Sequence, residues 1–294
     1  MEDQSAGFAF TGIGTSWCIL TDGEELREEV RPDILDYMRV FNERFSRFVE
    51  GSEANAFRTA EAGDYQVSEE FAALLARADE LRILTHGLYD PAVGGLLEQA
   101  GYDVAHTMVP RPDVAEFVLP KWEIRGRTLS ISGAVVFDFG GMGKGYCIDR
   151  IAEILEAHGY LHYLVDGGGD MYGTSKQGGE PWRVALEYPG RQDTAAGMVM
   201  LKNEGIAVSD TFRRRWGGWH HIVHPFSKVP VENVLGVTAL APTAWDADCA
   251  TSALFFTNAE EYAAVGKSLN ARYLVFLSDG TTAVSTDWSG ELFV

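Results

Sequence analysis

Basic side chains are in short supply in this sequence: 24 Lys and Arg stand against 43 Asp and Glu over 294 residues, a net charge of −19. That deficit argues against nucleic acid or an anionic membrane as partner, since both need a positive surface. A phosphate-bearing ligand would have to be drawn in by local groups or by a metal. Solubility or a salty habitat explains the acidity equally well. Cysteine is also scarce, and Cys18, Cys147 and Cys249 are too far apart for a disulfide framework or a thiolate metal site. Buried free thiols in a reducing compartment are expected. No apolar run approaches the ~20 residues that cross a bilayer. Met1 to Phe10 has no basic segment leading into an apolar one, so no signal peptide is expected. A cytoplasmic protein follows as the simplest expectation, although a trimmed exported or membrane-anchored precursor would look the same. Repeats, low-complexity tracts and linkers are missing too, which favours one α+β domain over residues 1–294.

What is present centres on Phe137 to Arg150, FDFGGMGKGYCIDR. The apolar Ala134 to Phe137 reads as a buried strand, and Ile148, Ile151, Ile154 and Leu155 recur at helical spacing until Gly159. A glycine-rich turn feeding a helix N-terminus favours an anion, with Lys144 adding charge beside it. The string fits neither a Walker A loop nor the GxGxxG dinucleotide pattern, so a plain structural turn stays open.

Along the chain, Gly7 to Leu20 reads as a strand with Gly12 to Thr15 at its middle. Pro32 and Asp33 open a helix whose stripe runs Ile34, Met38, Phe41, Phe45 and Phe48, and Ser68 caps a second helix to Gly87. Tyr102 to Pro120 reads as a loop, and Trp122 to Ile131 as a hairpin. Strands are expected at Tyr160 to Val165, Trp182 to Tyr188, Gly197 to Leu201, His220 to Val223, Val234 to Ala241 and Arg272 to Leu277. Helices are expected from Trp245 through Phe256 and from Ala259 to Leu269, then a final hairpin.

Several of these segments carry chemistry. Asp248 and Ser252 stand four residues apart on one helix face, and with backbone carbonyls they form an all-oxygen set suited to Mg²⁺. The alternative is that Asp248 caps its own helix. His220, His221 and His224 do not converge on a strand, so one of them as acid or base is a better reading than a zinc site. Arg213-Arg214-Arg215 is either a phosphate clamp or a solvated hairpin.

Seven strings in order resemble the ApbE family, the FAD:protein FMN transferases. They are Gly14-Thr15-Ser16-Trp17, Phe45 to Glu53, the dGxfDPxvgpL-like His86 to Leu96, the DxGGxAKGYxxD-like Asp138 to Asp149, Val165 to Asp170, His221 to Pro225 and Ala247 to Ala253. The resemblance implies the ApbE α+β fold, T-fold-like, with mixed or antiparallel sheets and packed helices. It implies Mg²⁺-assisted cleavage of the FAD pyrophosphate, FMN passing to a Thr or Ser of an acceptor flavoprotein while AMP leaves. By the same resemblance Asp248, Ser252 and the Gly143 carbonyl hold Mg²⁺, and His221 is the base for the acceptor hydroxyl. The flavin-site positions carried over are Ile13, Phe48, Glu53, Gly141, Met142, Gly143, Lys144, Asp149, Asp166, Gly168, Asp170 and His221.

The chain also departs from the pattern. Ser252 stands for Thr, Gly143 for Ala, Ile13 for Met, Phe48 for Tyr, Asp210 for Gly, His224 for Asp and Phe226-Ser227-Lys228 for Arg-Thr-Gly. These changes bear on acceptor recognition and FAD orientation more than on the metal set. Two other activities stay open: an FAD pyrophosphatase, and a non-catalytic FAD-binding protein.

Overall fold

Eight strands pair antiparallel in strict chain order in a computed structural model that describes residues 6–111 and 113–293. They are β1 (Ala6–Gly12), β2 (Thr15–Thr21), β3 (Tyr163–Gly167), β4 (Asp170–Gly173), β5 (Glu204–Asp210), β6 (Val234–Ala241), β7 (Arg272–Leu277) and β8 (Thr282–Val284). Neighbours in the sheet are neighbours in the strand sequence, and what varies is the length of the excursion between them. The class is α+β, as expected, and every pairing among the described residues is antiparallel.

Period-two alternation gives the sheet two apolar faces. Tyr163 and Val165 face one way and Leu164 the other. The first face packs on α1 (Arg31–Phe45), α2 (Glu69–Leu84), α4 (Gly143–Ala157) and α5 (Ala244–Phe255) in one continuous core. The second is covered by the hairpin of strands Trp182–Tyr188 and Arg191–Leu201. Shorter helices α3 (Gly94–Gln99) and α6 (Tyr262–Ser268) complete the helical set. No helix among the described residues is long and apolar enough to cross a membrane. The N-terminal reading of Met1 to Ser5 and the loop proline Pro112 lie outside the described residues.

Five local expectations are corrected. Ala134 to Phe137 is buried but joins no sheet, because its backbone bonds outward to loops: Val135 N to Phe57 O at 2.9 Å and Asp138 N to Pro91 O at 2.7 Å. Gly7 to Leu20 is two strands, folded at Ile13 and Gly14, both at positive φ (39° and 76°), the backbone hand a two-residue hairpin needs. Phe48 leaves the α1 stripe, since the helix ends at Phe45. Of the expected 220–223 strand only His220 is laddered, in the two-residue strand Trp219–His220, and His221 to Val223 belongs to a loop with one isolated bridge, Val223 to Pro230. The C-terminal strands separate, since β8 pairs with β7 while Glu291–Leu292 pairs with Arg191–Leu201.

Candidate active site

A cleft of about 830 Å³ opens where the β1–β2 turn, the α1 exit, the 138–144 turn, the β3–β4 turn and the 209–223 loop meet. Of the expected site residues, Ile13, Phe48, Gly141, Gly143, Lys144, Gly168, His221 and Ser252 line it.

The 138–145 turn is tighter than its glycines imply. Gly140 N donates to Asp138 Oδ1 (2.7 Å), Met142 N and Gly143 N donate to the Phe139 carbonyl, and Gly145 N donates to Asp248 Oδ2 (2.9 Å). The expected phosphate cradle is therefore largely occupied by the protein's own oxygens, and the anion at the α4 N-terminus is Asp248. Lys144 is not free either: its ammonium pairs with Asp170, whose other oxygen accepts from Val208 N at 2.9 Å. Burial pulls the Lys144 pKa down, yet the Asp170 and Asp248 charges carry it above its ordinary value.

Asp248 does not cap its own helix, since Thr243 does, accepting from Asp246 N. Four residues on, Ser252 Oγ donates to the Gly141 carbonyl at 2.6 Å. The carbonyl against Ser252 is thus that of Gly141, while Gly143 is the first residue of α4. Glycine is required at both contacts: a Cβ on Gly141 would sit 2.7 Å from Ser252 Oγ, and one on Gly145 would sit 2.3 Å from the Ala244 carbonyl. Burial pushes the Asp248 carboxyl up to about 6, with Lys144 opposing and Asp170 adding to the shift. A buried carboxylate, a hydroxyl and turn carbonyls, all hard oxygens, fit Mg²⁺, which keeps several of its waters. Among the described residues, no group of three or more His, Cys, Asp or Glu is placed to hold a metal ion.

His221 sits on the cleft wall with Nδ1 enclosed and unpartnered. Burial, then Arg214 and His220, drive its pKa down to about 3, so the ring is neutral at physiological pH and Nδ1 is left as an unfilled hydrogen-bonding position. The Arg213–Arg215 run resolves into separate jobs. Arg213 pairs with Glu187 at 2.7 Å and bonds the Gly168 carbonyl, whereas Arg214 faces into the cleft near Gly140 and Asp138.

Five expected positions serve the framework instead. Glu53 accepts from Ser68 N and Ser68 Oγ, fixing the start of α2. Met142 is fully buried at the α4 N-cap. Asp149 accepts from Ala244 N (2.9 Å) and Trp245 N (3.0 Å), so it holds the first turn of α5. Asp166 accepts from Gly169 N and shapes the β3–β4 turn, and Asp170 holds Lys144. Each acts through another group.

The cleft also contains residues that sequence reasoning did not single out. Arg47 is 2% exposed, donates to Asp138 Oδ2 at 2.6 Å, lies 4.0 Å over the Phe48 ring, and leaves Nη2 unpartnered. Phe48 stacks on His106 (5.2 Å, 19°) and meets Tyr102, which tilts against Trp216. Arg47 lay inside a recognised motif; the ring shelf joins three distant segments, and of its rings only Phe48 carried a sequence signal.

Among the departures, His224 keeps its turn: Nδ1 accepts from Phe226 N (3.2 Å) and Ser227 N (3.1 Å), the work a carboxylate performs in such turns. Asp210 likewise accepts from Phe212 N and Arg213 N.

The sequence profile of the ApbE family matches residues 13–275. The chain is 25% identical over 239 residues to the FAD:protein FMN transferase of Rhodobacter capsulatus, covering 76% of this chain but 45% of that protein, less than half its length. It is 26% identical over 294 residues to the FAD:protein FMN transferase of Haemophilus influenzae, covering 91% of this chain and 85% of that one. The crystal structure of the ApbE protein of Thermotoga maritima superposes with a TM-score of 0.84 at 25% identity, covering 96% of this chain and 97% of that one. A match spanning nearly the whole sequence, on a fold and cleft of this kind, places this chain in the ApbE family.

Proposed function

We propose that this protein is a Mg²⁺-dependent FAD:protein FMN transferase, with residues 1–294 acting as one catalytic domain. The observation that carries the reading is the meeting, at one cleft, of Ser252, an unprotonated His221 and inward-facing Arg47 and Arg214, with the buried carboxylate of Asp248 one helical turn behind Ser252. A dinucleotide needs both ends of this cleft, a planar shelf for rings and a cationic, metal-capable end for the pyrophosphate.

In this reading a Thr or Ser hydroxyl of the acceptor attacks the FMN-side phosphorus. Its proton passes to His221, the P–O bond to the bridging oxygen breaks, and AMP leaves with that oxygen. Mg²⁺ held by Asp248, Ser252 and a carbonyl of the 141–143 turn, Gly143 in the family pattern, supplies neutralisation of charge on the phosphates. Arg214 depresses His221 through its charge, so an anionic pyrophosphate beside Arg214 raises the basicity of His221 when substrate is present. Phe48, Tyr102, His106 and Trp216 receive a ring system of FAD.

Release of AMP from FAD, measured by chromatography with Mg²⁺ and a flavoprotein acceptor, tests this. The wild type releases AMP in step with label on the acceptor, and Asp248→Asn lowers the rate by at least about 100-fold. AMP with no label assigns a pyrophosphatase instead; FAD binding with no AMP assigns a binding protein.

A further inference from the structure

Tyr89 is a cleft residue whose chemistry the reading above does not use. Its side chain is 7% exposed and lines the cleft, and its hydroxyl is enclosed with no hydrogen-bond partner. The position is built rather than incidental. Tyr89 N donates to the buried Thr85 Oγ1 at 2.9 Å, and the neighbouring Asp90 is pinned by Ala92 N (2.8 Å) and Trp122 Nε1 (2.9 Å). The ring meets Phe256 edge-on, and its Cε2 lies 3.2 Å from where a Cβ of Gly141 would be, beside Ser252 Oγ.

A buried phenol without an acceptor costs folding free energy, and a Phe ring would fill the same space without that cost. Burial, with Cys249, Asp248 and Asp138 nearby, keeps the phenol protonated, so it is a donor. The nearest carboxylate of the proposed metal pair already accepts from Gly145 N. The hydroxyl has no acceptor in the protein, and Tyr89 lines the cleft, from which an acceptor oxygen of a bound ligand would reach it.

Resting on the flavin-transfer reading, we propose that the Tyr89 hydroxyl donates a hydrogen bond to a phosphoryl oxygen of the dinucleotide at the Ser252–Gly141 edge of the cleft. It steadies negative charge there as the bridging P–O bond breaks. Tyr89 remains neutral and intact throughout.

The test compares wild type, Tyr89→Phe and a control, Tyr262→Phe, a buried tyrosine on α6 outside the cleft. Tyr89→Phe is expected to lower kcat for AMP release by about 10- to 100-fold, as loss of one preorganised donor does, with KM for FAD little changed. Its Tm without ligand stays equal or rises. The tyrosine ultraviolet difference band that inorganic pyrophosphate and Mg²⁺ induce in wild type disappears, while Tyr262→Phe matches wild type in all three readouts. Turnover of Tyr89→Phe within twofold of wild type, or an unchanged difference band, overturns the assignment while leaving flavin transfer standing. A wild type that neither cleaves FAD nor shows the band removes the flavin reading and this inference with it.

Discussion

The environment of His221 departs far from water. Its folded pKa near 3 lies below the reference value of 6.5, so between those values the unfolded chain holds a proton that the folded one does not. The sign follows from linkage: stability is fully present above pH 6.5 and drains as pH falls towards 3. At pH 5 the unfavourable term is about 1–2 kcal/mol, allowing for the ring's opening to the cleft. His221→Gln, which cannot protonate, is therefore expected to lose less stability than wild type between pH 7 and pH 5 by about that amount in urea titrations. Equal losses would show that the ring is not kept neutral by its surroundings. The same variant also lacks the base proposed for flavin transfer at pH 7.

The residues alone left open which of His220, His221 and His224 acts, and the family resemblance singled out His221; it also named Glu53, Asp149 and Asp166 as flavin-site positions, and here their oxygens hold backbone N–H groups. A carboxylate in a motif is visible in sequence. Whether its oxygens face a ligand or a backbone N–H depends on which turn the fold brings opposite, and for Asp149 that turn is about 95 residues downstream. Tyr89 and Arg47 went unassigned because an unpartnered polar atom is a property of the packed structure alone.

Among the elements, the crossing of α4 and α5 sets the site. Each helix supplies the carboxylate for the other's first turn: Asp149 of α4 for Ala244 and Trp245, Asp248 of α5 for Gly145. This reciprocal capping is possible because Gly145 has no side chain, its Cβ position lying 2.3 Å from the Ala244 carbonyl and 2.8 Å from Asp248 Cβ. Gly145→Ala is expected to push the helices apart, costing about 1–3 kcal/mol of overpacking, and to weaken the proposed Mg²⁺ binding by carrying Asp248 and Ser252, both on α5, away from the 141–143 turn. Thermal unfolding together with calorimetric Mg²⁺ titration reads both, and a variant unchanged in either shows that the crossing does not position the metal pair.

Element boundaries were legible where one periodicity ruled, as at Val234–Ala241 and Arg272–Leu277, each found at both ends. They failed where burial came without a ladder, at Ala134 to Phe137, and where a β-branched residue takes a left-handed turn. Ile13 at φ 39° is a conformation its sequence gives no reason to expect, and it lines the cleft. Strain kept at such a position is characteristic of functional sites.

At the scale of the whole molecule, an acidic chain of net charge −19 turns Arg47 and Arg214 inward, to the cleft where a pyrophosphate is proposed to bind. The antiparallel sheet, taken in chain order, brings five of its connections to one cleft, so the site is assembled by the fold as a unit. Overall class and family were readable because seven motifs fall in order along most of the chain. The acceptor's docking surface was not, since no motif encodes it. The decisive measurement is mass spectrometry of a Thr-bearing flavoprotein acceptor after incubation with this protein, FAD and Mg²⁺. The account predicts one covalent FMN on a Thr or Ser, dependent on Mg²⁺ and absent with Asp248→Asn. An acceptor that stays unmodified while wild type binds FAD, or one modified equally by Asp248→Asn, would contradict it.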